Sequence, residues 1–136
     1  MAGSRPSSTF RSHWLPVLAY LGLIFFLSAQ PHLQPPVQFA DSDKTMHLGE
    51  YLVLGALMAR ALRASRAQWS SLMVAAVSVT LCSLWAASDE YHQSFVPGRD
   101  SSAYDWCADT MGALLAQCLR AGFAGDAVTS AVTPKD

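Results

Sequence analysis

Three short stretches hold most of the side chains that could move a proton or grip an anion. They are Asp43-Lys44-Thr45-Met46-His47-Leu48-Gly49-Glu50-Tyr51, Ser88 to Asp100, and Asp105-Trp106-Cys107-Ala108-Asp109. His47, Glu50, Asp89, Glu90, His92, Asp105 and Asp109 are the candidate catalytic residues, because they contain acid–base pairs and atoms that suit metal ligation. Lys44, Tyr51, Gln93 and Arg99 are the candidate ligand-binding residues, and the planar fork of Arg99 suits a phosphate. Spacing adds weight to the list. Asp43, His47 and Glu50 fall at i, i+4 and i+7 and share one face of a helix, a pattern repeated by Asp105, Asp109 and Gly112. Asp89 shares a face with either His92 or Gln93. No familiar reaction signature accompanies these groups. His47-x-x-Glu50-Tyr51 lacks the second histidine of a zinc protease, and no nucleophile elbow, phosphate loop or dinucleotide fingerprint is present. No resident metal or cofactor is expected.

What must position these residues is a set of apolar helices. Charged residues make up 14% of the 136-residue chain and hydrophobic ones 51%, against about a quarter charged in an ordinary soluble domain. The length fits one domain, residues 1–136. From Ser12 to Ala40 there is no Asp, Glu, Lys or Arg, and the first span is placed at 14–29, long enough at the margin to cross a bilayer. Pro16 falls in its first turn, where a missing N–H costs little. A cleaved signal peptide is the rival reading of this segment. The remaining spans are placed at 45–62, 69–88 and 102–119, with a loop over 30–41 and a disordered tail over 123–136. Ser42 or Asp43 is expected to cap the second span. Ser102 with Asp105 has the spacing of a capping box at the start of the fourth. Gly49, Gly55, Ala56 and Ala59, with Ala108, Gly112 and Ala116, allow close helix contact. Cys82, Cys107 and Cys118 have no paired spacing and read as packing residues. The fold class is therefore all-α, an integral membrane four-helix bundle.

Basic residues orient the bundle. With four spans, Arg5, Arg11, Arg60, Arg63, Arg66, Arg120 and Lys135 fall on one side, which is seven of nine. That side is expected to be cytoplasmic, with both termini. Three arginines near one helix end are a topology signal and too few for a nucleic-acid surface, so no nucleic acid is expected. Eight of the ten acids then gather at the outer half. Glu50 and Asp109 sit beneath the outer headgroups, where a lone ionised carboxylate costs several kcal/mol and must find a partner or a proton.

Three ordered motifs carry a family resemblance: Asp43-Lys44-x-x-His47-x-x-Glu50-Tyr51-x-x-Leu54-Gly55, Ser88-Asp89-Glu90-x-His92-Gln93-x-Phe95-Val96-Pro97-Gly98-Arg99, and Asp105-x-x-x-Asp109-x-x-Gly112. They resemble the VanZ-like family of small bacterial membrane proteins, over roughly residues 15–116, and Ser28 and Pro31 fit the same pattern. The Trp106-Cys107 pair departs from it, being bulkier than the aliphatic residues expected there. The resemblance implies a multi-pass protein of the inner membrane. The family's founding member is associated with low-level resistance to the glycopeptide teicoplanin. The resemblance supplies no reaction.

Three readings of the polar cluster stay open on the sequence. It can be a structural network fixing helix ends. It can be a membrane-embedded hydrolase or transferase acting on a phosphorylated lipid or wall precursor. Or it can bind an outer-leaflet lipid, a lipid-linked wall precursor or a glycopeptide between its helices. The lipid bilayer is the one partner common to all three, and the oligomeric state is not legible.

Overall fold

The computed structural model describes residue 8 and residues 10–31 and 42–132, with 123–132 described by backbone alone. Four α-helices and no strand are found among them. A π-helical turn, Phe10–Trp14, leads into α1 (Leu15–Ser28), followed by α2 (Ser42–Ser65), α3 (Ser71–Gln93) and α4 (Ala103–Val132). Of the predicted loop over 30–41, residues 30 and 31 form a bend and turn and 32–41 lie outside the described residues.

Helix boundaries follow local chemistry. Pro16 occupies the first turn of α1, where its missing donor is one the helix leaves unpaired anyway. Ser70 caps α3, its hydroxyl accepting from the Met73 N–H at 3.1 Å. The helix then runs to Gln93, past the predicted end at 88. Its last turns thus carry Asp89, Glu90, His92 and Gln93 on a rigid backbone. Beyond it the chain reverses through Gly98, whose φ of 78° is open to glycine and costly for other residues. That reversal delivers Arg99 back towards the helix ends.

The start of α4 differs from the predicted capping box. The Ser102 hydroxyl accepts from the Tyr104 N–H at 3.2 Å, but Asp105 does not reach back to the Ser102 N–H. Glu90 of α3 accepts that proton instead, through Oε2 at 2.8 Å, which frees Asp105 for Lys44. At the other end α4 continues as helical backbone to Val132, so residues 123–132 are helical where a disordered tail was expected. The run 120–132 has no proline to break the helix, although Gly122 and Gly125 lower its helix propensity. Residues 133–136 lie outside the described part.

The closest helix contact joins α2 to α4. A Cβ on Gly112 would collide with the Leu48 carbonyl, and one on Gly55 would come within 2.9 Å of the Ala113 Cα. Both glycines were legible as contact residues. Gly49 was named with them, yet it meets nothing within 4 Å. Around this seam Tyr51, Leu54 and Ala61 pack with Val74, Cys82 and Ala86 of α3 and Val17 and Ile24 of α1. Of the three cysteines only Cys82 is a core residue; Cys107 and Cys118 are exposed, because they face away from the α2–α4 seam.

The two ends of the bundle differ in charge. Trp14 Nε1 donates to Ser65 Oγ at 2.7 Å, Arg60 to the Ser12 carbonyl at 3.0 Å and Arg63 to Ser71 Oγ at 3.0 Å. The arginines therefore collect where α1 and α3 begin and α2 ends. The carboxylates collect at the opposite end. Between the ends, large apolar side chains such as Phe26, Leu72 and Leu84 point outward. Two segments, Phe10–Ser28 and Ser71–Gln93, are long and apolar enough to cross a membrane, and only 11% and 22% of their most apolar windows is buried within the chain.

Candidate functional site

The first two turns of α2 present Asp43, Lys44, His47 and Glu50, and the first two turns of α4 present Asp105 and Asp109. Because Gly112 lets α4 lie against the Leu48 backbone, these turns face each other at close range. Lys44 Nζ pairs with Asp105 Oδ1 at 3.2 Å. His47 Nδ1 lies 2.9 Å from Asp109 Oδ1, and its Nε2 is 3.9 Å from Asp43 Oδ1. The Asp109 side chain is 2% exposed, so its charge has no water to rely on and the imidazole supplies the stabilising partner.

Asp89 is held from two other directions. Ser28 Oγ at the end of α1 donates to its Oδ1 at 2.6 Å, and Gln93 Nε2, one turn on, donates to its Oδ2 at 3.0 Å. Of the two residues that could share its face, Gln93 is the partner. His92 turns to α1, where its ring lies 4.5 Å from that of Phe25, and its Nδ1 finds no hydrogen-bond partner among the described residues. It does not join the carboxylate network.

These pairings surround a cavity of about 250 Å³. One wall is apolar, built by Tyr20, Leu23, Ile24 and Leu27 of α1 and Met46 of α2. The other carries Asp43, His47, Glu50, Asp89, Gln93 and Arg99. Glu50 makes no hydrogen bond or ion pair among the described residues, and the buried Arg99 Nε has no partner either. An acid and a guanidinium thus face a part-apolar space with bonding capacity to spare. The volume suits a head-group or a few carbons of chain, below the usual range of a pocket for a drug-sized ligand.

Of the residues named from sequence, Asp43, His47, Glu50, Asp89, Gln93 and Arg99 line the cavity. Lys44, Glu90, Asp105 and Asp109 stand behind them as partners. Tyr51 is 1% exposed, in the core, and its hydroxyl has no hydrogen-bond partner among the described residues. Two sets of donor atoms are compact enough for one cation: Asp43, His47 and Asp105, and His47, Glu90 and Asp109, each within 4.8 Å. The apolar wall of α1 was not foreseen, since a uniformly apolar run gives no sign of which face meets a cavity. Gln117 was also missed. It is 4% exposed and donates to the Gly55 carbonyl at 3.1 Å, beside Ser78, whose hydroxyl donates to the same carbonyl at 3.2 Å. Only its polarity amid the apolar residues of the fourth span could have marked it.

The arrangement can do two things. It can hold an amphiphile with a charged head against Arg99 and hydrocarbon against α1. It can also move a proton, since a histidine oriented by a buried carboxylate is the usual form of a general base. Comparison with known proteins adds one result. A family model described as VanZ/LLP1 matches residues 13–121. No curated protein and no solved structure matches the chain.

Proposed function

The chain belongs to the VanZ/LLP1 family, and from that premise we propose that it is a multi-pass inner-membrane protein that binds the head of an outer-leaflet amphiphile in the cavity between α1, α2 and α3. Three observations support the membrane setting. They are the two long apolar segments with outward-facing side chains, the arginines gathered at one end, and the carboxylates gathered at the other. In this setting the four helices cross the bilayer, both termini are cytoplasmic and the cavity opens towards the outer leaflet.

The observation that carries the ligand class is the two-sided cavity. Leu23, Ile24 and Leu27 offer hydrocarbon, while Arg99 and Glu50 offer charge that no described residue pairs by hydrogen bond. Phospholipids, polyprenyl-linked wall precursors and lipophilic glycopeptides all join an apolar tail to a polar or phosphorylated head. A phosphate is the best match to the guanidinium fork. Altered susceptibility to glycopeptides is one readout of such binding.

The test expresses wild type and the Arg99→Ala, Glu50→Gln and His47→Ala variants at matched membrane levels. Lipid-linked precursor pools and envelope-drug susceptibility are measured in each strain. Wild type is expected to change at least one quantity and Arg99→Ala to abolish the change. If wild type changes neither, the reading fails. If the variants act as wild type does, the cavity is not the site.

A second reading, a hydrolase or transferase on the same amphiphile, is favoured by the His47–Asp109 pair, because His47 also lines the cavity. It requires product to accumulate when purified protein meets a phosphorylated lipid. His47→Ala must then stop turnover while leaving lipid binding in place.

A further inference from the structure

We propose that His47, Glu90 and Asp109 form a divalent-cation site at the α2–α3–α4 junction, behind the wall of the cavity. One donor atom from each residue lies within 4.8 Å of the other two. Three ligand atoms each about 2.1 Å from a shared cation stand roughly 3.4–3.6 Å apart, so side-chain movements of about 1 Å close the set. The three residues come from three helices, so a bound cation would join them at one point.

Burial supplies the second argument. Glu90 is 6% exposed and Asp109 1%. Glu90 Oε2 accepts from the Ser102 N–H at 2.8 Å, but Oε1 is buried with no partner among the described residues. A buried carboxylate oxygen without a donor is costly, and a cation satisfies it. The hydroxyl of Tyr51, which lies in the field of Asp109, is likewise buried without a partner among the described residues.

Charge balance is the third. Asp43, Glu50, Asp89, Glu90, Asp105 and Asp109 share this end of the bundle with Lys44 and Arg99 as fixed cations. Lys44 is committed to Asp105. Arg99 lines the cavity together with Glu50 and Asp89. His47 is the basic side chain whose ring atoms reach both Glu90 and Asp109, and a divalent ion there would neutralise both acids. One imidazole and two carboxylates suit Mn²⁺ or Zn²⁺ better than a soft ion. Ligation needs the neutral imidazole, so it displaces the proton shared by His47 and Asp109, and affinity rises with pH.

The site goes beyond the amphiphile reading, and its assay uses no lipid ligand, so failure here leaves that reading standing. The full chain, in detergent and stripped with a chelator, is titrated with Mn²⁺ and followed by electron paramagnetic resonance. One Mn²⁺ per chain is expected, displaced by Zn²⁺, with nitrogen hyperfine coupling from one imidazole. Glu90→Gln keeps the acceptor for Ser102 and is expected to weaken binding roughly tenfold or more, while Asp100→Asn in the exposed turn leaves it unchanged. Absence of stoichiometric binding, or bound Mn²⁺ without imidazole coupling, overturns the proposal on wild type alone, whatever the variants do. Loss of binding in Asp43→Asn but not in Glu90→Gln moves the ion to Asp43, His47 and Asp105 and overturns this assignment.

Discussion

His47 and Asp109, 62 positions apart in sequence, meet at 2.9 Å between Nδ1 and Oδ1. The contact fastens α2 to α4 at their charged ends, next to the close approach of Gly112 to the Leu48 backbone. It also gives Asp109, at 1% exposed the most buried acid among the described residues, its partner.

Removing one member of that pair strands the other. Asp109→Leu is expected to lower stability by about 3–5 kcal/mol, because the imidazole loses its one close hydrogen-bond partner and keeps only looser neighbours such as Asp43 at 3.9 Å. Glu50→Gln removes no bond and is expected to change stability by about 0.5 kcal/mol or less. Thermal or denaturant unfolding in one detergent compares the two. Equal losses would show that Glu50 is coupled as tightly as Asp109.

Ser28 closes the network from α1. Its hydroxyl is 3% exposed and donates at 2.6 Å to Asp89. Ser28→Ala is expected to cost about 1.5–3 kcal/mol, the range for a bond to a charged group. Ser94→Ala also removes a short bond, from its Oγ to the Tyr91 carbonyl at 2.6 Å, but at an exposed position, and should cost about 0.5 kcal/mol or less. The difference between the two unfolding midpoints is the measurement.

Two glycines in the acid-bearing halves of helices should respond in opposite directions. Gly112→Ala forces its Cβ into the Leu48 carbonyl, and rigid backbone cannot step aside as a side chain would. A loss of about 1–3 kcal/mol is expected. Gly49→Ala meets nothing within 4 Å and should gain about 0.5–1 kcal/mol from reduced chain entropy. If both substitutions are neutral, the α2–α4 seam is looser than described.

Topology follows from the separation of charge. Reporter fusions at Arg66 and at the carboxyl terminus should report cytoplasm, and a fusion near Pro97 should report the outside. The reverse pattern would place the cavity at the inner leaflet and remove the wall precursors of the outer face from its ligands.

Much of the site was legible in the chain before any fold was known. The spacing of Asp43 and His47 put them on one face of α2, and the repeat of that spacing placed Asp105 and Asp109 likewise on α4. Helical periodicity is a local property, so sequence alone carries it. The family motifs were legible for the same reason, since they lie in order along the chain. Periodicity left either His92 or Gln93 on the face of Asp89, and only the packing of α1 decides that Gln93 meets Asp89 while His92 stacks on Phe25.

What the sequence by itself determined is the set of helices, the small residues along the α2–α4 seam and the sorting of charge towards opposite ends. Each depends on hydropathy, side-chain size or spacing within one segment. Tertiary structure alone decided which acid meets which base: Lys44 takes Asp105, His47 takes Asp109, and Glu90 takes the Ser102 N–H that Asp105 was expected to hold. It also decided that, among the described residues, Glu50 and the Arg99 Nε find no hydrogen-bond partner and face a cavity walled by α1. Those outcomes depend on how helices distant in sequence are rotated and how closely they approach. That is set by collisions such as the one awaiting a Cβ on Gly112, which no local pattern records.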